Sequence, residues 1–142
     1  MTTIRQLSVF LENKSGRLHE MLEVLANENI NITALSIADT LEYGIVRLLV
    51  SDPENGCKLL KSHGFRVSIT EVISLSVSHE AGSLAKALKK FSDEKLGVEY
   101  MYAFNQGEKA IIVLRTDNHA KAFEIIEQNN FVLISENEIK NI

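Results

Sequence analysis

The stretch Asn13-Lys14-Ser15-Gly16-Arg17-Leu18 combines a carboxamide, a hydroxyl and a glycine directly ahead of a helix-spaced apolar run, Leu18, Met21, Leu22 and Leu25. Glycine lets the backbone turn tightly and lets another molecule come close to it. The first amides of a helix have no partner inside it and sit at its positive end, so such a loop can seat a carboxylate without a basic side chain. The amides of Ser15, Gly16, Arg17 and Leu18 would form that seat. The Asn13 carboxamide oxygen can accept from an ammonium group, as can open backbone carbonyls near Ile30, and Asn31 can do so from across an interface. Carboxylate seat, ammonium acceptor and side-chain pocket are what a free amino acid requires. Read alone, Asn13 and Asn31 also suit turn residues whose carboxamides cap local backbone.

The stretch occurs a second time, as His79-Glu80-Ala81-Gly82-Ser83-Leu84. Here the amides of Ala81, Gly82, Ser83 and Leu84 would form the seat, and His79 takes the place of Asn13. A lone imidazole there suits a ligand contact and a solvated capping residue alike. The duplication extends well beyond the loops. Sliding the chain by 66 residues sets Ser8 on Ser74, Gly16 on Gly82, Leu22 on Leu88, Leu48 on Leu114 and Phe65 on Phe131 without a gap. Apolar positions stay in phase from end to end, which chance identities would not maintain.

The elements that must position these loops follow from periodicity. Residues 4–11 alternate as a strand, and 16–27 carry an apolar helical face. A strand from Asn29-Ile30-Asn31-Ile32 to about Thr40 turns at Glu42-Tyr43-Gly44 and returns from Ile45 to Val50. Asp52-Pro53 opens a helix, because aspartate caps it and proline lacks only an N–H that would be unpaired. His63-Gly64 ends that helix, and 65–69 form a fourth strand. The second half repeats the order, with strands at 71–77, 97–105, 109–116 and 131–135 and helices at 82–93 and 118–129. The tail from Glu136 reads as a short helix or a frayed end. Each half is thus a βαββαβ unit, an α+β ferredoxin-like sandwich of four antiparallel strands with both helices on one face. The expected domains are 1–69 and 70–142, joined side by side without a linker.

Composition excludes several functions. Over 142 residues the chain is 45% hydrophobic and 24% charged with net charge −4, so no basic excess points to nucleic acid or an anionic membrane. One cysteine, Cys57, rules out an internal disulfide and reads as a buried small hydrophobe. The four histidines lack ligand spacing, so no metal is expected, and no cofactor loop occurs. Ser83-x-x-Lys86 and Ser92-x-x-Lys95 match a serine-acylase tetrad without its companion motifs and read as helix-surface residues. No apolar run nears the ~18 residues that span a membrane, and the expected location is cytoplasmic. The chain is not expected to be an enzyme.

The order strand, N-K-S-G-R-L, helix, N-I-N-I strand, hairpin, helix, strand resembles the ACT domain, a small-molecule-sensing module of amino-acid metabolism, in two tandem copies. The first copy is similar to the serine-sensing ACT domain of phosphoglycerate dehydrogenases, where two asparagines hold the effector; these fall on Asn13 and Asn31. Ser15 and Ala81 stand where the family usually has proline, Leu11 where that dehydrogenase has a histidine, and His79 and Gly97 replace the asparagines in the second copy. The resemblance implies a regulatory protein that binds an amino acid or related metabolite at domain interfaces and modulates a partner, such as an amino-acid biosynthetic enzyme. Pairing within the chain would set Asn13 opposite Gly97 and His79 opposite Asn31. Pairing of first halves in a homodimer would bring both asparagines together. The alternative is a non-catalytic subunit acting by protein association, with degenerate ligand sites.

Overall fold

A computed structural model describes residues 2–39 and 43–142. Its elements are β1 (Ile4–Glu12), α1 (Arg17–Asn27), β2 (Ile32–Asp39), β3 (Tyr43–Val50), α2 (Pro53–Ser62) and β4 (Arg66–Ser78). These are followed by α3 (Ser83–Asp93), β5 (Val98–Gln106), β6 (Lys109–Thr116), α4 (His119–Gln128), β7 (Val132–Leu133) and α5 (Glu136–Lys140). The backbone gathers into two units, Arg5–Thr70 with Ile139–Ile142, and Glu71–Glu138 with the N-terminal residues through Ile4.

In the first unit the strands run in the order β2-β3-β1-β4. β3 pairs antiparallel with both neighbours, setting Leu7 opposite Leu48, Val9 opposite Val46 and Ile32 opposite Val50. Alternation puts Leu7, Val9, Leu11, Val46, Leu48 and Val50 on one face. Met21 and Leu25 of α1 and Cys57 and Leu60 of α2 complete one buried cluster with them. Both helices therefore cover the same face, and each fully buried large side chain contributes about 1.5–3 kcal/mol. The second unit repeats this with β4, β6 and β5, where Ile73, Leu75, Ile112 and Leu114 pack with Phe91 of α3 and Ile125 and Ile126 of α4. Each unit has the ferredoxin-like α+β arrangement expected from the βαββαβ order.

Several backbone bonds of one copy recur in the other under the same sequence shift. Past α1 the Ile30 N–H donates to the Leu25 carbonyl at 3.0 Å, and past α3 the Leu96 N–H donates to Phe91 at 2.9 Å. Past α2 Phe65 donates to Leu60 at 3.0 Å, and past α4 Phe131 donates to Ile126 at 3.0 Å. Asp52 caps α2 by accepting from the Asn55 amide at 3.1 Å, and Asn118 caps α4 by accepting from Lys121 at 3.1 Å. Even the register shift in β2, between Ile32 and Ala34, recurs in β5 between Val98 and Tyr100.

Three expectations change. The fourth strand of the first half and the first of the second are one strand, β4, in which the polar Thr70-Glu71 stretch interrupts the apolar alternation without ending the strand. The closing strand expected at 131–135 shortens to Val132–Leu133, paired with Ser76 and Leu75. Ser135 ends it by starting α5: its Oγ accepts from the Glu138 amide at 3.2 Å, and a Glu138 carboxylate oxygen accepts from the Ser135 amide at 3.4 Å. This reciprocal pair is a capping box. Finally, Tyr43 and Gly44 of the expected turn already belong to β3, while Thr40 and Glu42 lie outside the described residues.

Candidate functional site

The loop between β1 and α1 is held by three short backbone bonds. Lys14 N–H donates to the Glu12 carbonyl at 2.8 Å, Arg17 to Lys14 at 3.2 Å and Glu20 to Gly16 at 3.0 Å. Gly16, at φ 86°, sits in the left-handed region that only glycine enters freely, with no atom within 4 Å of where a Cβ would stand. Among the described residues no side chain caps α1. The turn leaves the amides of Ser15, Gly16 and Leu18 without a backbone partner among the described residues. One member of the expected seat is corrected: the Arg17 amide closes the turn on Lys14, so three of the four remain.

Asn13 is exposed and lines a cavity of about 190 Å³ with Leu11, Leu18, Ile37, Gly44 and Val46. These apolar walls belong to the helix-covered face of the sheet, and Ile37 is 48% exposed there. At its rim Lys14 Nζ lies 2.9 Å from a Glu12 carboxylate oxygen. That hydrogen bond holds the Glu12 carboxyl below the ordinary carboxylate range and the Lys14 ammonium above its own. The Arg17 guanidinium pairs with Glu20 at 2.9 Å and lies 4.2 Å from the centre of the Phe65 ring.

The two asparagines are not brought together within the unit. Asn31 precedes β2 at the end where Ile32 faces Val50, whereas Asn13 lies by the end where Asp39 faces Gly44. Eight residues of strand, roughly 25 Å, separate those ends. The acceptor expected near Ile30 is also reduced, because the Asn31 carbonyl takes the Ser51 amide at 2.9 Å and the Asn31 amide donates to Ser51 Oγ at 2.9 Å. Ile30 is buried, its amide tied to Leu25.

The second loop repeats two of these bonds and the glycine turn: Ser83 N–H donates to Glu80 at 3.1 Å, Lys86 to Gly82 at 3.0 Å, and Gly82 has φ 89°. Here too one expected amide, that of Ser83, closes the turn, leaving Ala81, Gly82 and Leu84. The side chains differ. Ser78 and Ser83 hydroxyls bond across the loop mouth at 2.8 Å, Leu84 is 37% exposed, and the His79 amide donates to the Glu108 carbonyl at 2.9 Å. His79 lines a cavity of about 680 Å³ with Ser76, Ser78, Glu80, Lys109 and Val132. Gly97, in the place of Asn31, donates to an Asp117 carboxylate oxygen at 3.2 Å.

Sequence reasoning overlooked a cavity of about 550 Å³ in the first unit, lined by Phe10, Glu12, Arg17, Tyr43, Ile45 and Arg66. The signal available was Phe10, an aromatic at an outward position of an alternating strand. Among the described residues no group of three or more His, Cys, Asp or Glu is placed to hold a metal, and no helix is long and apolar enough to cross a membrane.

Comparison with known proteins places this geometry. The structure of protein BT0572 from Bacteroides thetaiotaomicron is similar at 42% identity and TM-score 0.95, over 99% of this chain and 98% of that one. The regulatory subunit of aspartate kinase from Thermus thermophilus, in its ligand-free form, shares the fold at TM-score 0.68 and 10% identity, over 89% of this chain and 93% of that one. That from Thermus flavus does so at TM-score 0.63 and 14% identity, over 90% and 93%. No significant match was found among curated proteins. A family model described as an ACT domain pair matches residues 1–142, and with its glycine loop and βαββαβ unit present twice, the chain belongs to the ACT domain family as an ACT domain pair.

Proposed function

We propose that this ACT domain pair is a regulatory protein that binds an amino acid or a related small metabolite at the Asn13 loop and conveys its occupancy to a partner in amino-acid metabolism. The observation that carries the reading is the left-handed turn at Gly16, with spare amides beside a carboxamide at the mouth of a small apolar-walled cavity. The ligand carboxylate meets the amides of Ser15, Gly16 and Leu18, its ammonium meets Asn13, and a short side chain enters between Leu11, Leu18 and Ile37. Because Asn31 stands at the far end of β2, the second carboxamide comes from another copy, and a homodimer that apposes first halves supplies it symmetrically. The ligand then favours one arrangement by its difference in affinity between arrangements, typically ~1–3 kcal/mol. No catalytic step is assigned to the protein.

The test is a thermal-shift screen of the full chain against the twenty amino acids, since a ligand that binds only the folded state raises the melting temperature by mass action, about 2.7 kcal/mol at a hundred times Kd. A selective shift that is lost in Asn13→Ala and reduced in Asn31→Ala, with ligand-free melting unchanged, supports the reading. No shift with any amino acid overturns the amino-acid reading and turns the question to a ligand outside the amino acids or to the second reading below. The second reading, a subunit acting by protein association, draws on the second loop, where both asparagine positions are replaced and the Ser78–Ser83 bond spans the mouth. Retention of a biosynthetic enzyme by a chain that binds no amino acid would favour it.

A further inference from the structure

We propose that the 550 Å³ cavity of the first unit is a second, independent ligand site, for a small organic monocarboxylate with an apolar body. Phe10, Tyr43, Ile45 and Arg66 face away from the Asn13 cavity, while Glu12 borders both hollows. Along β1, Phe10 and Glu12 alternate with the buried Val9 and Leu11, and Ile45 stands opposite Phe10 on β3. The Asn13 cavity belongs to the helix-covered face of these strands and this one to the reverse face. Apart from Glu12 the two cavities share no lining residue, so a ligand in one is expected to leave the other open.

The lining defines the ligand. Phe10 and Tyr43 are 47% and 49% exposed, large aromatic surfaces left open to water in a hollow. The Arg66 guanidinium lies 5.8 Å from the centre of the Phe10 ring and makes no ion pair or hydrogen bond among the described residues. Arg17 adds a second guanidinium, already shared with Glu20 and the Phe65 face. The acid in the lining, Glu12, is held by Lys14. The cavity thus offers apolar and aromatic walls and one cation whose charge is unmatched. A planar guanidinium meets a carboxylate through two parallel N–H donors, and the apolar body of the ligand covers Phe10, Tyr43 and Ile45. A hollow of this volume lies within the usual range for small-molecule sites.

The second unit supplies an independent observation. It has a cavity at the equivalent place, where Ser76, Ser78, Lys109 and Val132 occupy the positions of Phe10, Glu12, Tyr43 and Arg66. The fold therefore builds this hollow in both copies, and the first alone lines it with aromatic rings and a guanidinium. The rings and the guanidinium are therefore not needed to build the hollow.

The experiment is calorimetric titration of the full chain with benzoate and with hexanoate, using benzamide as the neutral counterpart of benzoate. Binding of either carboxylate is expected, with benzamide weaker by about tenfold or more, since it lacks the charge that Arg66 meets. Arg66→Gln should lower carboxylate affinity by a similar factor, and Phe10→Ala should lower it as well; both positions are exposed, so ligand-free melting should hold. Asn13→Ala should bind benzoate as the unaltered chain does, whatever becomes of amino-acid binding at the other loop, so the two readings fail separately. Absence of binding by both carboxylates overturns the proposal, as does unchanged affinity in Arg66→Gln or equal binding of benzamide. If sedimentation instead shows a dimer that Phe10→Ala dissociates, with no carboxylate bound, the face is an interface between two copies and the proposal falls.

Discussion

The loops after Glu12 and after Ser78 share one glycine turn and almost no surface chemistry. Gly16 and Gly82 differ by a few degrees in φ, and the turn bonds of Arg17 and Ser83 by 0.1 Å, from 3.2 to 3.1 Å. Yet Asn13 corresponds to His79, Arg17 to Ser83, Phe10 to Ser76, Tyr43 to Lys109 and Arg66 to Val132. The agreement falls where a change would cost folding energy: apolar character at buried positions, positive φ at Gly16 and Gly82 and at Gly64 and Asn130, and side-chain caps at Asp52 and Asn118. The divergence falls on side chains around cavities, where either residue is tolerated by the fold. The difference teaches that the scaffold is held in common while ligand choice belongs to each copy. It also assigns the proposed chemistry to the first copy, whose cavities carry the carboxamide and the guanidinium.

That comparison can be tested from its most costly positions outward. Leu25 and Phe91 are equivalent core residues, 0% and 1% exposed. Truncation to alanine should destabilise by about 2–5 kcal/mol for Leu25 and about 3–5 kcal/mol for Phe91, read as a loss of urea midpoint. A cost below about 1 kcal/mol at either would mean that its cluster does not hold that unit together. Next come the loop glycines. Alanine at Gly16 or at Gly82 puts its Cβ where no described atom lies within 4 Å, so the penalty is backbone strain alone, about 1–3 kcal/mol and equal in the two copies. Unequal penalties by chemical denaturation would break the claim of a common loop. Smallest are the caps. Asp52→Ala and Asn118→Ala should each cost about 1 kcal/mol, since each removes one acceptor from a helix start.

Much of the fold was legible because its determinants are local. The helix period at Leu18, Met21, Leu22 and Leu25 placed α1, Asp52-Pro53 placed the start of α2, and in-phase apolar residues under a single shift gave the duplication. Ser135-Glu136-Asn137-Glu138 was equally local and went unread: its serine and glutamate form the capping box that cuts β7 short. The merging of two strands into β4 was half legible, in the shared parity of Val67, Ile69, Ile73 and Leu75, because alternation shows phase and cannot show whether a bend intervenes.

By itself, then, the sequence determined the type and order of the elements, the two glycine turns and the belonging of Asn13 to one of them, all consequences of residues near one another in the chain. Tertiary structure decided what depends on neighbours across strands. It closed the Arg17 amide onto Lys14, tied Asn31 to Ser51 at the end of β2 away from Asn13, and set Arg66 of β4 over Phe10 of β1. Phe10 and Arg66 are far apart along the chain and meet because β1 and β4 are sheet neighbours. No periodicity within either strand contains that fact, since which strands lie side by side is settled by how the apolar faces of whole elements pack together.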